Sequence, residues 1–295
     1  MARPAAKFLT GFFIVAVLLV VAAMIFALRQ PPPAPPPLPK PNGYDDLVQA
    51  GTMLAENTWD FATMSEEDLR TLVTKNTAGL KLARTGLSRV CQVPLDYSGT
   101  NASRSPELAK LKRLARALEA EGRLAKLENR PADAAAAYLT VIRLGSAIRQ
   151  GGTILDSLVG IAVEAIGTAP MEKLAPGLDA KQCREIAAAL ESCETRREPI
   201  EALWARERLW ARRAYGLRGQ IVRLVQFRSL KQTEQGVTAK LTAQQTRARR
   251  LLIELAARAY ELEKGERPKN LTNLVPAYLK TIPQDPLTGT NMAYP

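Results

Sequence analysis

FLTGFFIVAVLLVVAAMIFAL, residues 8–28, carries neither charge nor proline. As a helix it is roughly 31 Å long, at about 1.5 Å per residue, which matches the hydrocarbon core of a bilayer. It is longer than the ~7–15 apolar residues of a secretory signal. Its end, Ile25-Phe26-Ala27-Leu28-Arg29, lacks the small-x-small pair of a cleavage site. The segment Phe8–Leu28 therefore reads as an uncleaved anchor whose partner is the lipid bilayer. Arg3, Lys7 and the amino terminus precede it and Arg29 follows it. That modest bias predicts a single pass of the cytoplasmic (inner) membrane, with the N-terminus in and the soluble domain extracytoplasmic.

The next stretch, Gln30-Pro31-Pro32-Pro33-Ala34-Pro35-Pro36-Pro37-Leu38-Pro39-Lys40-Pro41, cannot enter a helix or sheet, because proline fixes φ and removes the amide donor. It predicts a semi-rigid polyproline II spacer of about 3.1 Å per residue. The chain thus divides into a stub and anchor (1–29), a proline-rich linker (30–42), a helical domain (43–236), and a long helix with a tail (237–295).

About 250 residues beyond the linker can bury a full core. They are rich in Ala, Leu and Arg, and the chain is only 5% aromatic, a profile that suits helices better than sheets. The expected fold is all-α, with a short irregular turn motif at the C-terminus. There is no histidine. That closes the usual general base near neutral pH, the Ser-His and Cys-His pairs, and every histidine-containing metal site. Cys91, Cys183 and Cys193 form neither a disulfide framework nor a zinc motif. Cys183 and Cys193, ten residues apart on one helix, are separated by about 15 Å and cannot bond. Cys91 can pair with either one, or all three thiols can be core residues. No cofactor signature is present.

Local signals place the helices. Tyr44 to Glu56 reads as a short one. Ser65-Glu66-Glu67-Asp68 is a capping box ahead of Leu69, Leu72, Val73, Leu80 and Leu87 at helical spacing. Proline holds Val93 extended. Ser105-Pro106 reads as N-cap and N1 of a helix bearing Leu108, Leu111, Ala115, Leu118 and Ala125. Asn129-Arg130-Pro131 ends it. A partner helix carries Ala134, Tyr138, Val141, Gly145 and Ile148, and together they resemble one tetratricopeptide hairpin without a second copy. Thr153 caps the most apolar soluble stretch, Thr153 to Thr168, in which Gly160 and Gly167 allow close approach. It reads as the central buried helix, too short to span a membrane. Asp156 and Glu164 on it, about 12 Å apart, exceed the spacing of a glycosidase pair and read as exposed or paired structural acids. Asp179 with Gln182 is a further capping box, and Cys183, Ile186, Leu190 and Cys193 share its helix's apolar stripe. Thr233 to Gly236 reads as a loop, with Thr238 opening the last long helix. Gly265 stops that helix, Asn270 caps one turn, and Asp285 to Gly289 is a turn.

Arg196 to Arg250 holds fourteen Lys/Arg against four Glu, most of the formal +12. Its first part, 200–231, reads as one long helix. Leu203, Trp210, Ala214, Leu217, Ile221 and Leu224 form its stripe, with Arg206, Arg208, Arg212, Arg213, Arg218 and Arg223 on the other faces. Those six arginines are the candidate surface for an anionic partner, lipid headgroups or nucleic acid. An extracytoplasmic domain makes nucleic acid the unexpected partner of the two.

Tyr260, Gly265, Pro268, Leu274-Val275-Pro276, Tyr278-Leu279, Ile282-Pro283, Asp285-Pro286, Gly289 and Tyr294 resemble the C-terminal part of the major pseudopilins of type II secretion, over about the last sixty residues. The prepilin signal is missing. With Phe12 as the first mature residue, the fifth is Ala16 where that family has Glu. Val93-Pro94-Leu95-Asp96-Tyr97, Arg130-Pro131-Ala132-Asp133-Ala134-Ala135 and Leu158-Val159-Gly160-Ile161-Ala162 resemble a group of uncharacterised bacterial membrane-anchored helical proteins. The likeness implies an extracytoplasmic helical domain and no particular chemistry. The expected function is a membrane-tethered, non-enzymatic protein that contacts another envelope protein. Two alternatives are a binder of anionic surfaces through 200–231 and a carboxylate-dependent envelope hydrolase.

Overall fold

A computed structural model of the chain describes residues 15–19, 22, 26, 37–55, 64–95, 104–225 and 227–294, without the side chains of 217–229. Most of Phe8–Leu28 and of the proline run lies outside the described residues. Among the described residues the fold is all-helical, with one isolated bridge, between Gln284 and Asn291, in place of any strand.

Local chemistry sets the helix starts. α1 (Gly43–Met53) begins at Asn42, whose Oδ1 accepts from the Tyr44 amide. Ser65 and Asp68 close a capping box on α2 (Glu66–Leu87), Thr153 and Asp156 close one on α5 (Ile154–Leu174), and Asp179 and Gln182 close one on α6 (Ala180–Thr195). α3 (Ser105–Leu127) and α4 (Pro131–Arg149) form the expected hairpin. α3 departs from expectation by one residue. Its N-cap is Arg104, whose guanidinium has no acceptor to cap with and instead reaches into the core.

α7 (Ile200–Val225) and α8 (Phe227–Lys264) differ more. Gly216, at φ 54° and ψ −142°, breaks α7, so 200–231 is not one straight rod. The expected loop at Thr233–Gly236 is instead helical, inside α8. Lys231, Gln232, Glu234 and Gln235 are good helix formers, and the single Gly236 costs only about 1 kcal/mol. α5 also outruns its expected end. It passes Pro170 to Leu174 and tightens into a 3-10 turn at Ala175–Gly177, because Met171 and Leu174 are buried.

α4 lies across two cores. Tyr44, Leu47, Leu111, Leu118, Val141 and Leu144 belong to one, with α1, α2 and α3 around them. Tyr138 and Ile142 belong to the other, with Met171, Cys183, Leu190, Leu252 and Leu255 from α5, α6 and α8. α4 and α5 meet at glycines: a Cβ on Gly145 would fall 2.5 Å from the Gly160 carbonyl, and one on Gly167 would fall 2.6 Å from the Tyr138 carbonyl. α5 buries its small and polar side, Asp156, Ser157, Gly160, Glu164 and Thr168. Its Ile154, Leu158 and Ile161 pack on Leu203 and Leu241 of α7 and α8. An 18-residue window within Ile154–Gly177 has mean hydropathy 1.4 and is half buried, so the segment is long and apolar enough, by length and composition alone, to cross a membrane. The expectation that this stretch was too short rested on ending it at Thr168.

The tail docks on the helices. Leu271, Leu274, Leu279 and Met292 enter the second core. The Lys280 amide donates to Glu191 (2.8 Å), Tyr278 donates to Glu263 (2.7 Å), and Arg249 reaches the Gln284 carbonyl. Asn270 caps the turn Leu271–Leu274, and Gly265, at φ 77°, ends α8 as expected.

Candidate functional site

Of the six arginines singled out above, four have described side chains. Arg206 is committed, donating to the Gly152 carbonyl (2.9 Å) and pairing with Glu198 (2.7 Å). Arg208 is exposed, while Arg212 and Arg213 are half-buried and each has an interaction partner. Arg218 and Arg223 lie beyond the Gly216 break, and their side chains are outside the described set.

The paired acids of α5 have other work. Asp156 is fully buried. One oxygen caps α5 at Thr153, and the other meets Arg104 at 2.8 Å. Arg104 also donates to the Tyr44 hydroxyl (2.8 Å) and stands over its ring. Burial pushes the Tyr44 hydroxyl far above its ordinary value, so it stays protonated. Glu164 lies buried between Arg149 and Arg197, at 3.5 Å from each. Glu194 links Arg197 to Arg249. Gly160 makes room for this chain of charges, since a Cβ there would fall 2.2 Å from Arg149 Cγ. Both acids are thus paired and buried, as the structural reading of them expects, and neither faces an open site.

The sequence does not single out what lies next to them. The C-terminal ends of α2 and α6 abut α4, and an open cleft of about 580 Å³ lies between them. Its volume falls within the roughly 300–1,000 Å³ of small-molecule sites. Arg89, Cys91, Arg143, Gln150, Cys193 and Arg196 line it, and no carboxylate does among the described residues. Arg89 pairs with Asp46 at 2.6 Å. Arg196 returns its Nε to the Ser192 carbonyl at 3.3 Å. Arg143 has no carboxylate partner among the described residues. Gln150 also lines a smaller void of about 40 Å³, walled by Arg149, Arg197 and Leu241. Burial, helped by Asp46, pushes the Cys91 thiol up to about 11 against the pull of Arg196. Burial likewise raises the Cys193 thiol, opposed by Arg196 and Arg143. Neutral thiols at pH 7 are poor nucleophiles.

All three cysteines are free. Cys183 sits in the second core, whereas Cys91 and Cys193 share the cleft. No group of three or more Cys, Asp or Glu among the described residues is placed to hold a metal ion. The cleft's residues come from three distant segments, each legible singly only as a basic residue near a helix end. Comparison with protein-family models, curated proteins and solved structures finds no match.

Proposed function

We propose that the chain is a single-pass protein of the cytoplasmic membrane. Its helical domain stands outside on a polyproline spacer and acts by contact with another envelope protein. The observation that carries this is the exposure of the described apolar residues before the prolines. Val15, Leu18, Leu19 and Phe26 are helical and 54%, 61%, 65% and 69% exposed, and none of them enters a core cluster. Apolar helix surface left uncovered by its own chain needs another apolar phase, and the length of Phe8–Leu28 suits a bilayer.

The non-enzymatic part rests on the acids. Asp156 and Glu164, the acid pair the sequence offers, are held by arginines in the interior. The docked tail makes the domain one body presented on a tether, a form suited to contact. The experiment is carbonate extraction of membranes carrying either the full chain or a variant lacking residues 8–28. Retention of the full chain and release of the variant are expected, and extraction of the full chain overturns the proposal. Contact with a partner is tested by cross-linking in intact cells, where one discrete adduct is expected. No adduct at any linker length counts against it.

A further inference from the structure

We infer that the cleft between the C-terminal ends of α2 and α6 and the side of α4 is an anion site that takes a phosphate group through Arg143 and Arg196. Guanidinium forks match phosphate oxygens in geometry and charge. Arg89 is paired with Asp46, whereas Arg143 and Arg196 both line the cleft, which has no carboxylate among its described lining residues. Both lower the Cys193 thiol against its burial, and Arg196 acts on Cys91 as well, so their charge reaches both cysteines of the cleft. Ser146, Ser192 and Gln150 add neutral donors to its wall. Three helices, α2, α4 and α6, end here, and because their carbonyl ends repel an anion, the guanidinium groups must outweigh them. About 580 Å³ is far more than one phosphate needs, so the ligand is an organic phosphate with a body as well as a head.

The position of the cleft points to two sources of that chemistry. The Gly43 amide donates to the Val90 carbonyl (2.9 Å), and Asn42 holds both the amide and the carbonyl of Gln92. The wall Arg89–Cys91 is therefore bonded to the first residues after the linker, on the side of the domain nearest the tether. A phospholipid headgroup or a soluble organic phosphate would present the same group there. The anion site rests on the cleft alone; only the lipid source rests on the tether proposed above.

The test follows the slow alkylation of Cys91 by iodoacetamide at about pH 9.5, where a small fraction of its raised thiol ionises and the rate can be measured over hours. It is read by peptide mass, in the full chain with phosphatidylcholine nanodiscs. Glycerol 3-phosphate is added in one arm, and phosphatidylglycerol replaces part of the lipid in the other. Slowed alkylation in the first arm identifies a soluble phosphate, and slowing in the second arm alone identifies the headgroup. In Arg143→Gln and Arg196→Gln each, the concentration needed for protection should rise about tenfold, the effect of one charge-assisted contact. Unslowed alkylation in both arms overturns the site, as does equal protection in the double variant. If the variants fail to fold, the wild-type chain still decides: protection should vanish at high salt, and plain glycerol should give none. Protection by glycerol overturns the inference. Co-elution with the discs reports separately on the tether.

Discussion

Arg104 and Asp156, fifty-two residues apart in sequence, meet at 2.8 Å inside the domain, and Asp156 is fully buried. One carboxylate thereby joins the start of α3 to the start of α5 while its other oxygen caps α5. Removing Asp156 leaves Arg104, among the described residues, only the more exposed Glu107, at 3.0 Å, as a counter-charge, and takes the cap from α5. Asp156→Ala is expected to cost about 3–5 kcal/mol, measured by urea unfolding. Combining it with Arg104→Met should cost less than the sum of the two single changes. Strict additivity would mean the pair is not coupled.

The glycines separate by environment. Gly160→Ala drives a methyl into Arg149 and the Gly145 carbonyl, and overpacking of this kind costs about 1–3 kcal/mol. Gly236→Ala meets nothing within 4 Å on an exposed turn of α8 and should stabilise by about 1 kcal/mol. Thermal unfolding of the two variants should shift in opposite directions. A destabilised Gly236→Ala would restore the loop that the sequence suggested there.

That loop shows where the sequence was readable and where it was not. Ser65, Thr153, Asp179 and Asn270 announced their helices because a cap is made by residues three apart. The stripe of Cys183, Ile186, Leu190 and Cys193 was legible from its spacing. Gly216 and Gly236 look alike in sequence, and neither has a neighbouring atom within reach of a Cβ, yet one breaks a helix and the other lies within one. Arg104 drew no notice, since nothing local distinguishes it from its neighbours. The cleft was invisible because Cys91, Arg143 and Arg196 are brought together only by tertiary packing of three helix ends.

The tail offers a third check. Leu274 is fully buried in the core shared by α6 and α8, so Leu274→Ala should cost about 2–5 kcal/mol. One unfolding transition should persist, now at lower denaturant. An unchanged midpoint would mean that the tail stands apart from the helices.

The thiols give a pH dependence. Burial raises the Cys183 thiol from about 9 to about 11. A folded value above the unfolded one gives stability that is complete below about pH 9 and lost as pH rises towards 11, because only the unfolded chain ionises easily in that window. Cys183→Ala should therefore flatten the alkaline fall in the urea midpoint relative to the wild type. A variant that falls in parallel would show that the thiol does not contribute. Cys183 should also resist alkylation until the chain unfolds.

The tethered, outward-facing domain is tested most directly by topology. Lys269→Cys places a thiol on an exposed position after α8. A membrane-impermeant maleimide applied to intact spheroplasts is expected to label it as fully as it does after lysis, with the chain retained in carbonate-washed membranes. Labelling only after lysis, or a chain released by carbonate, would contradict the account.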